Sequence, residues 1–76
     1  METDRLNIWT ITANPADFPG QFVARRWEVT GGTQVATDEA IISPELADLR
    51  RAMMRRGLFC IPRSAEDDPV IVESWL

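Results

Sequence analysis

Pro69-Val70-Ile71-Val72-Glu73-Ser74-Trp75-Leu76 is the stretch on which the architecture turns. β-Branched and aromatic residues crowd it, and a short chain cannot leave such a surface unpaired, so the segment is expected as an interior strand of a sheet. Upstream of it, Arg63-Ser64-Ala65-Glu66-Asp67-Asp68-Pro69 reads as a polar loop and Leu58-Phe59-Cys60-Ile61-Pro62 as a short buried strand. Earlier still, Ser43-Pro44-Glu45 carries the signature of a helix start: a serine to cap, a proline for the first helical position and an acid for the first turn. Leu46, Leu49, Ala52 and Met53 then make one apolar stripe, and Gly57 with Leu58 supplies a Schellman-type stop. The helix is expected over Pro44 to Arg56.

The amino-terminal half alternates with a period of two. In Leu6-Asn7-Ile8-Trp9-Thr10-Ile11-Thr12, Leu6, Ile8 and Thr10 share one face and Trp9 and Ile11 the other. In Phe22 to Val29, Val23, Trp27 and Val29 oppose Phe22, Ala24, Arg26 and Glu28. The intervening Ala13 to Gly20 holds Asn-Pro and Pro-Gly steps and reads as a structured loop. Gly31-Gly32 favours the positive φ angles of a tight hairpin, with Gln34-Val35-Ala36-Thr37 as a short return strand. The expected fold is a single α+β domain spanning residues 1–76, β-β-β-α-β-β, with a mostly antiparallel sheet and one helix packed on one face.

A chain of 76 residues buries only about 60% of its unfolded surface, so a net stability of about 3–5 kcal/mol is expected unless something adds to it. One cysteine and no histidine leave self-association as that addition, and a homodimer through a free strand edge is expected. Cys60, in an apolar run, is expected as a buried, reduced thiol, which fits a cytoplasmic setting. The sequence has no apolar run long enough to span a bilayer, and Met1-Glu2-Thr3-Asp4-Arg5 lacks the basic character of an export signal, so a soluble protein away from the membrane is expected.

Twelve acidic residues oppose eight basic ones, all arginine, for a net charge of −4. That balance argues against nonspecific nucleic-acid binding and towards a basic protein surface as partner. Histidine, lysine and tyrosine are absent, and Ser43 and Ser64 have no activating base beyond carboxylates, so no enzymatic activity and no cofactor are expected. Glu66, Asp67 and Asp68 lack the donor spacing of a calcium loop, so no metal site is expected; they read as a solvated turn or, with Glu73, as an acidic contact patch. Arg50, Arg51, Arg55 and Arg56 form the dense cationic cluster. Arg51 and Arg55 share the outward helix face with Asp48, complementing the helix dipole and offering an Asp48–Arg51 pair, or else a contact for an acidic partner or a phosphate backbone. Of the three tryptophans, Trp9 is expected to be partly exposed at a partner contact, and Trp27 and Trp75 to be buried.

At Phe18-Pro19-Gly20-Gln21-Phe22-Val23-Ala24-Arg25-Arg26-Trp27, and again from Asp67 to Leu76, the chain resembles a group of small bacterial and prophage-type proteins. In size, acidity and lack of catalytic residue types it is also similar to the anti-CRISPR proteins, phage-encoded inhibitors of CRISPR effector complexes. The resemblance implies a stoichiometric inhibitor that occupies a lysine- and arginine-rich DNA-recognition surface in the host cytoplasm. It points to Asp17, Glu66, Asp67, Asp68 and Glu73 as carboxylates standing in for phosphates. The alternative is a small accessory or regulatory protein that binds nucleic acid or an acidic partner through the Arg50 to Arg56 helix.

Overall fold

The computed structural model describes residues 6–76, so the expectation drawn from Met1 to Arg5 lies outside the described residues. Its elements are β1 (Leu6–Ala13), β2 (Phe22–Thr30), β3 (Thr33–Ser43), α1 (Leu46–Arg55), β4 (Cys60–Pro62) and β5 (Ile71–Trp75). They build one five-stranded antiparallel sheet in the order β3-β2-β1-β5-β4 with α1 on one face, which is the expected α+β fold. The carboxy-terminal strand lies inside the sheet, pairing Trp75 with Trp9 on one side and with Cys60 on the other.

Local chemistry explains most boundaries. Thr30 pairs with Thr33 across Gly31 and Gly32, whose φ angles of 56° and 82° give the two-residue turn that matches strand twist. At the end of α1, the Leu58 amide donates to the Met53 carbonyl and the Gly57 amide to the Met54 carbonyl, with Gly57 at φ 75°. Those two bonds are the Schellman pattern. The loop after β1 is tied by Asn14, itself left-handed at φ 53°, whose side-chain oxygen accepts from the Gly20 amide at 2.7 Å.

The expected strand at Leu58 begins only at Cys60, and the return strand and the helix also differ from expectation. The return strand does not stop at Thr37 but runs to Ser43, because Thr37-Asp38-Glu39 bulges opposite Arg26 instead of leaving the sheet. The Thr37 hydroxyl donates to the Arg26 carbonyl at 2.9 Å and accepts from the Glu39 amide at 3.1 Å, which holds the polar run in the strand. The helix begins at Leu46 with Glu45 as its extended cap residue, two positions after the expected start. Ser43 still organises that entry: its hydroxyl accepts from the Glu45 amide at 3.0 Å and donates to the Asp48 carboxylate at 2.8 Å.

The core lies between α1 and one sheet face: Trp9, Ile11, Ala24, Leu49, Met53 and Trp75, all buried. A bulge in β5 leaves Val72 as the extra residue between Ile71, opposite Thr12, and Glu73, opposite Ile11. Glu73 and Trp75 therefore face the helix, whereas Ile71 faces away. Trp9 is 4% exposed and Trp27 is only half-buried, the reverse of the expected assignment. The register sets Trp27 beside Ile8, on the face opposite Trp9, and α1 covers the side of Trp9.

Cys60 is exposed, not buried, as are the other residues of β4. This strand is a three-residue edge with a single neighbour in the sheet. The other edge, β3, carries the bulged Thr37-Asp38-Glu39 segment. A short edge ending in Pro62 and a bulged, acidic one both discourage edge-to-edge pairing, so the strand ends lend no support to a dimer formed that way.

Candidate functional site

The candidate contact residues fall into three places. The first is the core boundary. Glu73, on the helix side of β5, is 5% exposed. Its carboxylate accepts from Arg50 Nε at 3.1 Å, from Arg50 Nη2 at 2.8 Å and from Trp75 Nε1 at 2.8 Å. The Arg50 hydrogen bonds hold the Glu73 carboxyl below the ordinary glutamate range, outweighing the opposing effect of burial, and Trp75 adds to the shift. Arg50 is raised in turn, chiefly by its hydrogen bonds to Glu73. The expected use of Glu73 as a partner contact is therefore corrected: it is buried and satisfied within the domain, while Arg50, half-exposed, spends its guanidinium on that carboxylate. Trp9 leaves the contact set for the same reason of burial, with the Arg56 guanidinium 5.0 Å from its ring centroid. Beside them the Cys60 thiol is pushed up by desolvation and by the charge of Glu73, which disfavours a reactive thiolate.

The second place is the outward face of α1. Arg51 donates to Asp48 at 2.6 Å, the expected i,i+3 pair. The Ser43 hydroxyl, then Arg51, hold the Asp48 carboxyl below its usual range. Arg56 donates to the Ala52 carbonyl at 3.1 Å, which complements the carboxy-terminal end of the helix. Arg55 and Arg56 are the arginines of this cluster with no ion pair among the described residues.

The third place is the sheet face turned away from the helix, where Asp17 and Asp68 lie. Register sets Trp27 opposite Ile8 and Ala36. Since Trp9 pairs with Trp75, Leu76 comes beside Ile8, and Leu76 exchanges two backbone hydrogen bonds with Phe59. Ala36, Trp27 and Ile8 on β3, β2 and β1, with Leu76 and Phe59 flanking β5 and β4, thus form one apolar row. Phe59 is 79% exposed and Leu76 39%. Ile61, paired with Ser74, extends the row on the β4 side and is 43% exposed.

Acidic groups border this row. Asp17 reaches Arg25, on the same face, at 3.5 Å. Asp68 stands where the last loop enters β5, its Oδ1 accepting from the Val70 amide at 3.0 Å. Asp67 accepts from the Ser64 amide at 2.9 Å, and the Glu66 amide donates to the Ser64 hydroxyl, so this loop is shaped by its own side chains. Between the two borders lies an open cleft of about 300 Å³ lined by Thr10, Thr12, Arg25, Trp27, Asp68 and Ile71 among others. Among the described residues no three carboxylates or thiols converge as metal ligands do, and no helix is long and apolar enough to cross a membrane.

Sequence reasoning singled out Asp17, Glu66, Asp67 and Asp68, and the structure brings Asp17 and Asp68 to this one face. It missed Phe59, Leu76, Ile8 and Trp27. A signal was present: strands apolar on both faces accompany a single helix, and one helix covers one face.

Comparison with protein-family models, with characterised proteins and with solved structures gave no match.

Proposed function

We propose that this chain is a non-enzymatic binding protein that docks on a basic, nucleic-acid-binding protein surface through the helix-free face of its sheet. Its most concrete form is an anti-CRISPR-type inhibitor, acting in the host cytoplasm, that blocks target DNA recognition by a CRISPR effector complex. The supporting observation is the uncovered apolar row ending in Phe59, bordered by Asp17 and Asp68. Exposed aromatic and aliphatic anchors with a charged rim are what a specific interface needs, and carboxylates at the rim oppose a phosphate-binding surface in sign. The helix reading loses weight in comparison, since Arg50 is consumed by Glu73 and Arg51 is paired with Asp48.

Co-elution of the purified chain with purified CRISPR effector complexes, followed by a target-DNA binding assay, tests this reading. A stable complex and lost DNA binding are expected, with both effects abolished by Phe59→Asp and weakened by Asp68→Lys. Capture that survives Phe59→Asp but is lost in Arg55→Glu would transfer the contact to the helix. No complex with any effector, and unchanged DNA binding, would remove the inhibitor reading.

A further inference from the structure

We infer that the cleft on the helix-free face is a binding site for a free apolar α-amino acid in its zwitterionic form. Thr10 and Thr12 of β1 form its floor, Arg25 and Trp27 of β2 one wall, and Asp68 with Ile71 at the start of β5 the other. The two walls carry opposite charges. A simple anion drawn to Arg25 meets Asp68, and a simple cation drawn to Asp68 meets Arg25. A dipolar guest satisfies both.

Spacing agrees. Strands separated by one intervening strand lie about 10 Å apart. The ammonium nitrogen and carboxylate oxygens of an α-amino acid are about 3 Å apart, and one charge-assisted hydrogen bond of about 2.8 Å at each end brings the total to about 9 Å. A cleft of about 300 Å³ admits such a molecule with its side chain. The Trp27 ring and Ile71 offer that side chain an apolar surface.

Both charged groups keep capacity for a guest. Among the described residues Arg25 makes one ion-pair contact, Nη2 to Asp17 at 3.5 Å, which is long for a charge-assisted bond. Its neighbour Arg26 is by contrast engaged by Asn7, Glu28 and Glu39 at 2.8, 3.0 and 2.6 Å. Asp68 uses Oδ1 for the Val70 amide, leaving its other oxygen for an ammonium group. The inference stands apart from the docking proposal, and its test involves no macromolecular partner, so the two fail separately.

Isothermal calorimetry of the full chain with L-phenylalanine, its N-acetyl derivative and its methyl ester is the test. The free amino acid is expected to bind, and each blocked form to bind about tenfold or more weaker, as loss of a charge-assisted hydrogen bond requires. Arg25→Gln should erase the preference for free acid over ester while keeping that for free amine over N-acetyl, and Asp68→Asn should do the converse. A misfolded variant would lose both preferences together. Equal binding of all three ligands, or no heat with L-phenylalanine at about 10 mM, a weaker affinity than any specific site would show, overturns the inference.

Discussion

Removing Arg50 should be more damaging than neutralising its partner, although both changes break the same ion pair. In Arg50→Ala the Glu73 carboxylate, 7% exposed at its side chain, keeps only the Trp75 indole and the Cys60 thiol as partners. Stranding one member of a buried pair costs about 3–5 kcal/mol, and water access at this core boundary reduces the expected loss to about 2–3 kcal/mol. In Glu73→Gln the amide oxygen still accepts from Trp75 and the 47% exposed Arg50 returns to water, so the loss should be about 1–1.5 kcal/mol. Against an expected total stability of only about 3–5 kcal/mol, either change is easily measured. The pH dependence carries a definite sign. Because the folded Glu73 carboxyl lies below its ordinary value of 4.5, the pair's contribution is fully present above that value. It disappears as pH falls through the lower folded value, so the parent and Glu73→Gln should converge on acidification. Urea unfolding followed by tryptophan fluorescence, at neutral pH and in steps below 4.5, gives both readings. An Arg50→Ala protein as stable as the parent at neutral pH, or a Glu73→Gln deficit that does not change with pH, would refute the reasoning.

Trp75→Ala removes a core ring paired with Trp9 and bonded to Glu73, and should cost about 3–5 kcal/mol, enough to erase a cooperative thermal transition in a domain this small. Gly57→Ala has open space for its Cβ but keeps φ 75°, so it should cost about 1 kcal/mol and lower the melting temperature by roughly 4–8 °C. Phe59→Ser should leave urea unfolding within about 0.5 kcal/mol of the parent, as the ring is largely in water, while reducing binding of an exposed-hydrophobe dye.

The element order was legible because each element carried its own local signal. Gly31-Gly32 and Gly57 marked turns through backbone geometry, Leu46, Leu49 and Met53 marked a helix face, and Val70 to Trp75 marked a strand that needed neighbours. Burial was legible only in part, since it depends on which face another element covers. Alternation sorted the faces within β1 and within β2 but could not say which face of either strand would receive α1. The same ignorance misplaced Cys60, whose apolar neighbours point to the helix-free face or sit on an edge. Glu73 looked like surface charge because the cation that neutralises it is 23 residues away in the chain.

Arg26 has a mechanical consequence. Towards the hairpin end of the sheet, beyond the buried core residues, one guanidinium bridges β1, β2 and β3 through Asn7, Glu28 and Glu39. One end of the domain is thus clamped by apolar contact, which ionic strength barely affects, and the other by charges that dissolved ions weaken. Raising salt should therefore speed amide exchange in the ribbon around Gly31 and Gly32 first, leaving the Met53–Trp75 end protected, so that unzipping starts where the oil gives way to ions.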